Sequence, residues 1–182
     1  NNDFLTGLYN RMRCESDMEK FIEIAKESNQ SGYVLYLDLD NFKHINDGLG
    51  HHYGDMLLKI ISLGLQQISG IENSCYRMGG DEFVIIISPE NKKELDQITK
   101  EITQLFSRPW DLNGTEYYCT MSMGVVYYPN DSESVQDLIV KADIAMFEAK
   151  KAGKNRVTNY SEELSSGTDT LEQFGNGIYC TI

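Results

Sequence analysis

Apolar residues recur at near-helical spacing between Arg11 and Ser28, at Met12, Met18, Phe21, Ile22 and Ala25, and predict a first helix. The polar run Asn29-Gln30-Ser31-Gly32 stops it. "YVLYLDLD" follows, and the stretch Tyr33 to Leu37 is wholly apolar or aromatic, which predicts an interior strand buried on both faces. "NFKHINDGLGHHYGD" is rich in glycine and Asx residues and reads as a loop. From about Asp55 to Ile68 the helical period returns through Met56, Leu57, Ile60, Ile61, Leu63 and Leu65.

Cys75 to Met78 and Phe83 to Ser88 predict the two arms of a hairpin whose tip is Gly79 to Glu82. A helix from about Lys92 to Phe106, a strand from Tyr117 to Tyr128, a long helix from Ser134 to Ala152 and a short strand from Arg156 to Tyr160 complete the pattern, with Gly153 as the C-terminal cap of the long helix. The order α-β-α-β-β-α-β-α-β predicts an α/β or α+β sandwich: a central mixed five-stranded sheet flanked by helices. After Ser161 the periodicity fades into Ser, Gly and Thr. The expected organisation is one domain over residues 1–160 and a tail or linker over 161–182.

Composition narrows the partners. A net charge of −12 argues against a nucleic-acid polymer or an anionic membrane surface. A nucleotide remains compatible with it, if metal ions and a few local lysines offset the phosphates. No apolar stretch reaches the length of a membrane span and no signal peptide is visible, so a cytoplasmic domain is expected. The chain begins at Asn1 rather than Met, so a piece of a longer protein is expected, and membrane anchoring of that parent is left open. Cys14, Cys75, Cys119 and Cys180 have no zinc-type spacing and read as reduced thiols packing as small hydrophobes. His44, His51 and His52 read as turn or helix-start residues.

Two acid clusters carry the chemistry. In Asp38-Leu39-Asp40 the alternation of a strand puts both aspartates on one face at the strand's end, where ligands tend to meet such sheets. Asp81 and Glu82 are more than a turn needs, and Glu82 borders apolar territory where an unpaired carboxylate is costly. If the hairpin lies beside the first strand, Asp38 and Glu82 converge. Two like charges that close call for a cation, and hard oxygen ligands select Mg²⁺ or Mn²⁺. Such an ion completes its shell with water and substrate phosphates. Free N–H groups between Asn41 and Lys43, with the Lys43 charge, suit an anion. Lys150 and Lys154 read either as further phosphate contacts or, together with Lys151, as a solvated helix cap. Asn46 and Asp55 suit a guanine edge, although Asp55 reads equally well as the N-cap of the helix after it.

Five ordered blocks then resemble the GGDEF domain of diguanylate cyclases over Asp3 to about Tyr160. They are "DFLTGLYNR", "DLDNFKHINDGLGHHYGD", "RMGGDEF", "SMGVVYYP" and "ADIAMFEAKKAGKNRV". The resemblance implies a nucleotidyl-cyclase-like fold with the signature on a β-hairpin, and condensation of two GTP molecules to cyclic di-guanylate with release of two pyrophosphates. By position it implies that Asp38, Glu82 and the Leu39 carbonyl ligate two Mg²⁺ or Mn²⁺ ions per site. It puts Asp81 at the reacting 3′-hydroxyl, Asn46 and Asp55 on guanine, and Phe42, Lys43, Lys150 and Lys154 on the phosphates. Gly79 and Gly80 would let the nucleotide approach the backbone closely. The resemblance further implies a homodimer, because one domain holds one GTP, and an N-terminal sensor domain in the parent. The alternative reading is a catalytically inactive GTP-binding module of a larger sensor or phosphodiesterase.

Two departures from the family pattern stand out. Gly70-Ile71-Glu72-Asn73 occupies the place of the Arg-x-x-Asp product-inhibition motif, so no feedback through that site is expected. Lys154 stands where the family usually has Arg, which keeps the charge and loses the bidentate phosphate grip.

Overall fold

The computed structural model describes residues 1–164. Most of the expected tail, residues 165–182 with Cys180, lies outside the described residues.

Helix α1 (Arg11–Ser28) has the predicted bounds. Asn10 caps it by accepting from the Arg13 N–H, and Asn29 ends it in the left-handed conformation. Strand β1 (Gly32–Leu39) follows, and then α2 (Phe42–Leu49) and α3 (His51–Gln66). The expected loop between Asn41 and Asp55 is therefore corrected to a helix, a glycine break and the start of a second helix. Phe42 and Ile45 give α2 an apolar side of its own that packs into the core, which outweighs the low helix propensity of its Asn, Asp and Gly. His51 and His52 open α3, and Asp55 lies inside it, so the N-cap reading of Asp55 is also corrected.

Strands β2 (Cys75–Gly79) and β3 (Glu82–Ile87) form the predicted hairpin, and α4 (Leu95–Leu105) follows. A small ribbon of β4 (Trp110–Leu112) and β5 (Thr115–Tyr117) was not anticipated. Its signal is present in the sequence: Asn113-Gly114 takes positive φ at both residues, as two-residue hairpin turns require. The strand expected from Tyr117 accordingly begins later, as β6 (Met121–Tyr128). Helix α5 (Val135–Lys151), capped by Ser134, and β7 (Arg156–Asn159) complete the chain.

The main sheet has the order β2-β3-β1-β6-β7. Its pairs are antiparallel except for β6 with β7, which makes the sheet mixed. β1 is central and buried on both faces, as predicted. Leu35, Leu37 and Leu39 point into a core with α2, α3 and α4, while Val34 and Tyr36 face α1 and α5. Each fully buried leucine contributes about 1.5–3 kcal/mol. The fold is thus an α+β sandwich with helices on both faces of a five-stranded sheet.

A Cβ at Gly124 of β6 would collide with the backbone of α5 at Ala142 and Met146, so glycine there lets α5 lie hard against the sheet. Cys14, Cys75 and Cys119 are buried, and burial pushes the Cys75 and Cys119 thiols up to about 12, as fits inert packing residues. Among the described residues no helix is long and apolar enough to cross a membrane.

Candidate active site

Strand pairing alone brings the two acid clusters together. In the β1/β3 ladder Asp38 is the direct partner of Glu82, and the Leu39 N–H donates to the Asp81 carbonyl at 3.2 Å. Both carboxylates therefore stand on the α1/α5 face at the end of the central strand. Asp38 is 4% exposed, and its Oδ1 is buried without a hydrogen-bond partner. Its Oδ2 lies 3.0 Å from Lys150 Nζ. Burial pushes the Asp38 carboxyl well above the ordinary carboxylate range. Asp81 beside it adds to the rise, and Lys150 offsets it only in part.

Asp40, on the same face, is better satisfied. It accepts from the Thr120 and Ser122 hydroxyls at 2.7 Å each and from the Asn155 N–H at 3.0 Å, with Lys150 Nζ 3.8 Å away. Its place in the DxD pattern was visible in the sequence. Its role as the hub joining β1, β6 and the α5–β7 loop was not. That loop runs through Gly153, Lys154 and Asn155, all at positive φ, and Lys154 Nζ donates to Asn41 Oδ1 at 2.9 Å. Lys154 is thereby held over the start of α2, next to Phe42 and Lys43. Lys43 is exposed, and of the first-turn N–H groups of α2 that of His44 donates to the Asn41 carbonyl, which leaves those of Phe42 and Lys43 without a carbonyl partner within the helix. Lys150 is buried against the two aspartates instead of forming the solvated cap that its position allowed.

Asn46 and Asp55 come from the facing helices α2 and α3. A Cβ at Gly54 would fall on Asn46 Oδ1, so Gly54 is what lets the amide lie against α3, one residue from Asp55. At the signature turn Gly79 (φ 138°) and Gly80 (φ 52°) need their conformations for the bulge that follows Arg77, and an added Cβ at either meets no atom within 4 Å. The space over the turn is open.

Three residues near the signature went unassigned in the sequence. Arg77 clasps the turn: Nε and Nη2 donate to the Gly80 carbonyl at 3.0 and 2.8 Å, and Nη1 to Asp3 at 3.1 Å. The Tyr36 hydroxyl donates to Glu82 Oε2 at 2.7 Å. Burial and then Glu82 raise the Asp143 carboxyl to about 6. Tyr36, Asp38, Glu82, Asp143, Arg11 and Lys150 are among the residues that line a cavity of about 280 Å³ between α1, α5 and the sheet. Asp143 and Arg77 lie within blocks that were legible as motifs. Tyr36 carried no signal beyond sharing Asp38's face.

This donor set fits a hard divalent cation. Facing carboxylates, one with an unpartnered buried oxygen, need positive charge, and Lys150 supplies part of it. Among the described residues no cluster of three or more His, Cys, Asp or Glu side chains is placed to hold a metal. At the corner where an inhibitory motif would lie, Asn91 Nδ2 donates to the Gly70 carbonyl and Lys93 Nζ to the Ser69 carbonyl, so this corner is tied to the loop before α4.

Comparison with known proteins identifies the family and the fold. The family described as "Diguanylate cyclase, GGDEF domain" matches residues 1–156. The chain is 33% identical over 154 residues to the bifunctional diguanylate cyclase/cyclic di-GMP phosphodiesterase MucR of Pseudomonas aeruginosa, covering 85% of this chain and 22% of MucR. It is 34% identical to the cyclic di-GMP phosphodiesterase NbdA of the same organism, covering 89% of this chain and 21% of NbdA. The chain thus spans about a fifth of the length of these relatives. A solved fragment of TpbB (YfiN) from Pseudomonas aeruginosa, comprising only the GGDEF domain, superposes with a TM-score of 0.84 at 28% identity, covering 93% of this chain and 99% of that one.

Proposed function

The chain belongs to the GGDEF domain family, and from that premise we propose that it is the diguanylate cyclase domain of a larger signalling protein, condensing two GTP molecules into cyclic di-guanylate and two pyrophosphates. One observation carries the proposal. Asp38 and Glu82 face each other across β1 and β3, with a buried Asp38 oxygen that lacks a hydrogen-bond partner and that a cation would satisfy. A non-catalytic relic has no need to keep that costly pair with Asp81 beside it.

In this reading Asn46 and Asp55 take the guanine edge between α2 and α3. The N–H groups at Phe42 and Lys43, with Lys43 and Lys154, take the phosphates. Asp38, Glu82 and the Leu39 carbonyl hold Mg²⁺ or Mn²⁺, two ions per site, which when bound would offset the charge of the triphosphate and acidify the attacking hydroxyl. A cation bound at Asp38 would take over part of the charge that Lys150 supplies there, and Lys150 would then be available to the phosphates. Asp81 stands at the 3′-hydroxyl of the GTP held by a second copy and assists removal of its proton. The 3′-oxygen bonds to the α-phosphorus and pyrophosphate leaves in line. Gly79 and Gly80 leave room for that approach. Each half-site serves both bonds, so the working species is a two-fold homodimer, brought together by an N-terminal sensor domain in the cytoplasm. Product inhibition through Gly70 to Asn73 is not expected.

A second reading, a GTP-binding regulatory module without turnover, is favoured by the similarity to NbdA, whose name records only a phosphodiesterase. Fusing the chain to a dimeric coiled coil and assaying GTP with Mg²⁺ or Mn²⁺ separates the two. Cyclic di-guanylate from the fusion, and far less from the monomer, is the expected result. A fused dimer that binds GTP and yields no cyclic dinucleotide rejects the cyclase reading and leaves the regulatory one.

A further inference from the structure

Tyr36 lies two residues before Asp38 and therefore on the same face of β1. It pairs with Val84, while Asp38 pairs with Glu82, which makes Tyr36 and Glu82 diagonal neighbours across the ladder. That separation is within reach of an aromatic side chain. Tyr36 is 3% exposed and packs with Val34, Val84, Ile86 and Met146, so its ring has little freedom. A buried phenol needs an acceptor, and the one it finds is Glu82 Oε2, at 2.7 Å.

We propose that Tyr36 is a positioning residue for Glu82. By occupying one carboxylate oxygen, it presents the other alone to a divalent cation, in a fixed place beside Asp38. The inference rests on the reading of Asp38 and Glu82 as metal ligands. Its physical basis is the demand each cation makes on its ligands. Mg²⁺ and Mn²⁺ sites favour regular six-fold geometry with single-oxygen carboxylate contacts, whereas the larger Ca²⁺ accepts both oxygens of one carboxylate. Hydrogen bonds to a ligand from outside the metal's own shell typically change affinity by 10–100-fold. A phenylalanine at position 36 would fill the same space and leave Glu82 free to rotate or to chelate through both oxygens. Tyr36 thus favours the smaller ion without touching it.

The test titrates MnCl₂ and CaCl₂ separately into the 182-residue chain by calorimetry, for the wild type, Tyr36→Phe and Glu82→Gln. Melting in EDTA checks that each variant keeps a single cooperative transition. The expected result is that Tyr36→Phe weakens Mn²⁺ about tenfold and Ca²⁺ much less, so that preference for the smaller ion falls, while Glu82→Gln weakens both. Equal losses for the two ions in Tyr36→Phe, or no loss at all, overturn the positioning role while the metal site stands. Wild-type affinity for both ions in Glu82→Gln overturns the site assignment itself, and the inference with it.

Discussion

Lys150 Nζ lies 3.0 Å from Asp38 Oδ2, and both side chains are almost wholly buried. Lys150 thereby shares its one positive charge between two aspartates at the end of β1, with Asp40 as the second acid. Removing one partner of a buried ion pair typically costs about 3–5 kcal/mol, because the other is left uncompensated. Lys150→Met is therefore expected to melt well below the wild type in EDTA. If Asp38 is a metal ligand, MnCl₂ should recover much of that loss, since the ion replaces the missing charge. Thermal melts of both proteins with and without the metal check this. A variant that gains no more from Mn²⁺ than the wild type does would mean that Lys150 and the cation do not share a place.

Gly54 sets the distance between α2 and α3. A methyl group there must displace the Asn46 amide, so Gly54→Ala is expected to raise the KM for GTP by about tenfold, the worth of one hydrogen bond to the base. Gly48, also helical, has open space around its Cβ direction, and Gly48→Ala should leave KM close to the wild-type value. Steady-state kinetics of the forced dimers compare the two. Equal KM values would dissociate Asn46 from guanine recognition.

The parts that the sequence revealed and the parts it hid differ in kind. β1 announced itself because five successive apolar or aromatic residues, bounded by turn residues, point to a strand buried on both faces. The helix α1 was bounded by its two asparagines. α2 was missed because its Asn, Asp and Gly content outweighs, in any local reading, the two apolar residues that dock it. Only tertiary packing of Phe42 and Ile45 decides for helix. At the site, motif and alternation made Asp38 and Glu82 a pair only on the condition that the hairpin lies beside β1, a condition the strand register meets. The partners of Lys150 had no such cue, because they depend on how closely Gly124 lets α5 approach the sheet. Tyr36 was hidden for a similar reason: its bond to Glu82 depends on strand register, which periodicity does not supply.

Asp40 ties three segments together through both of its oxygens. Asp40→Asn keeps the shape but turns an acceptor into a donor facing hydroxyls and an N–H, at a cost of about 1–3 kcal/mol. It also loosens the loop that carries Lys154. Lower stability in urea, together with a raised KM for GTP at nearly unchanged kcat, is the expected pattern. Thr120→Val removes only one hydroxyl bond and should lose stability with little change in KM. A fall in kcat alone for Asp40→Asn would point to a role in the chemical step instead.

Asp143 gives the fold a pH dependence with a definite sign. Its carboxyl is raised from 3.8 to about 6, by burial first and by Glu82 second. Between those values the folded chain holds a proton that the unfolded chain has released, so stability falls as pH rises through this window and the penalty persists above it. The full effect is about 3 kcal/mol, an upper bound because Asp143 is only half-buried and water moderates the field of Glu82. Asp143→Asn, which cannot ionise, should match the wild type near pH 4 and exceed it by pH 7, with metal chelated by EDTA. In a Glu82→Gln background the advantage should shrink, since one of its two causes is gone, and the deficit in additivity measures the Asp143–Glu82 interaction directly. Urea titrations of the four proteins at pH 4 and pH 7 read out both quantities. An Asn variant no more stable than the wild type at pH 7 would mean that Asp143 ionises at no cost, and that Glu82 is turned away from it in solution.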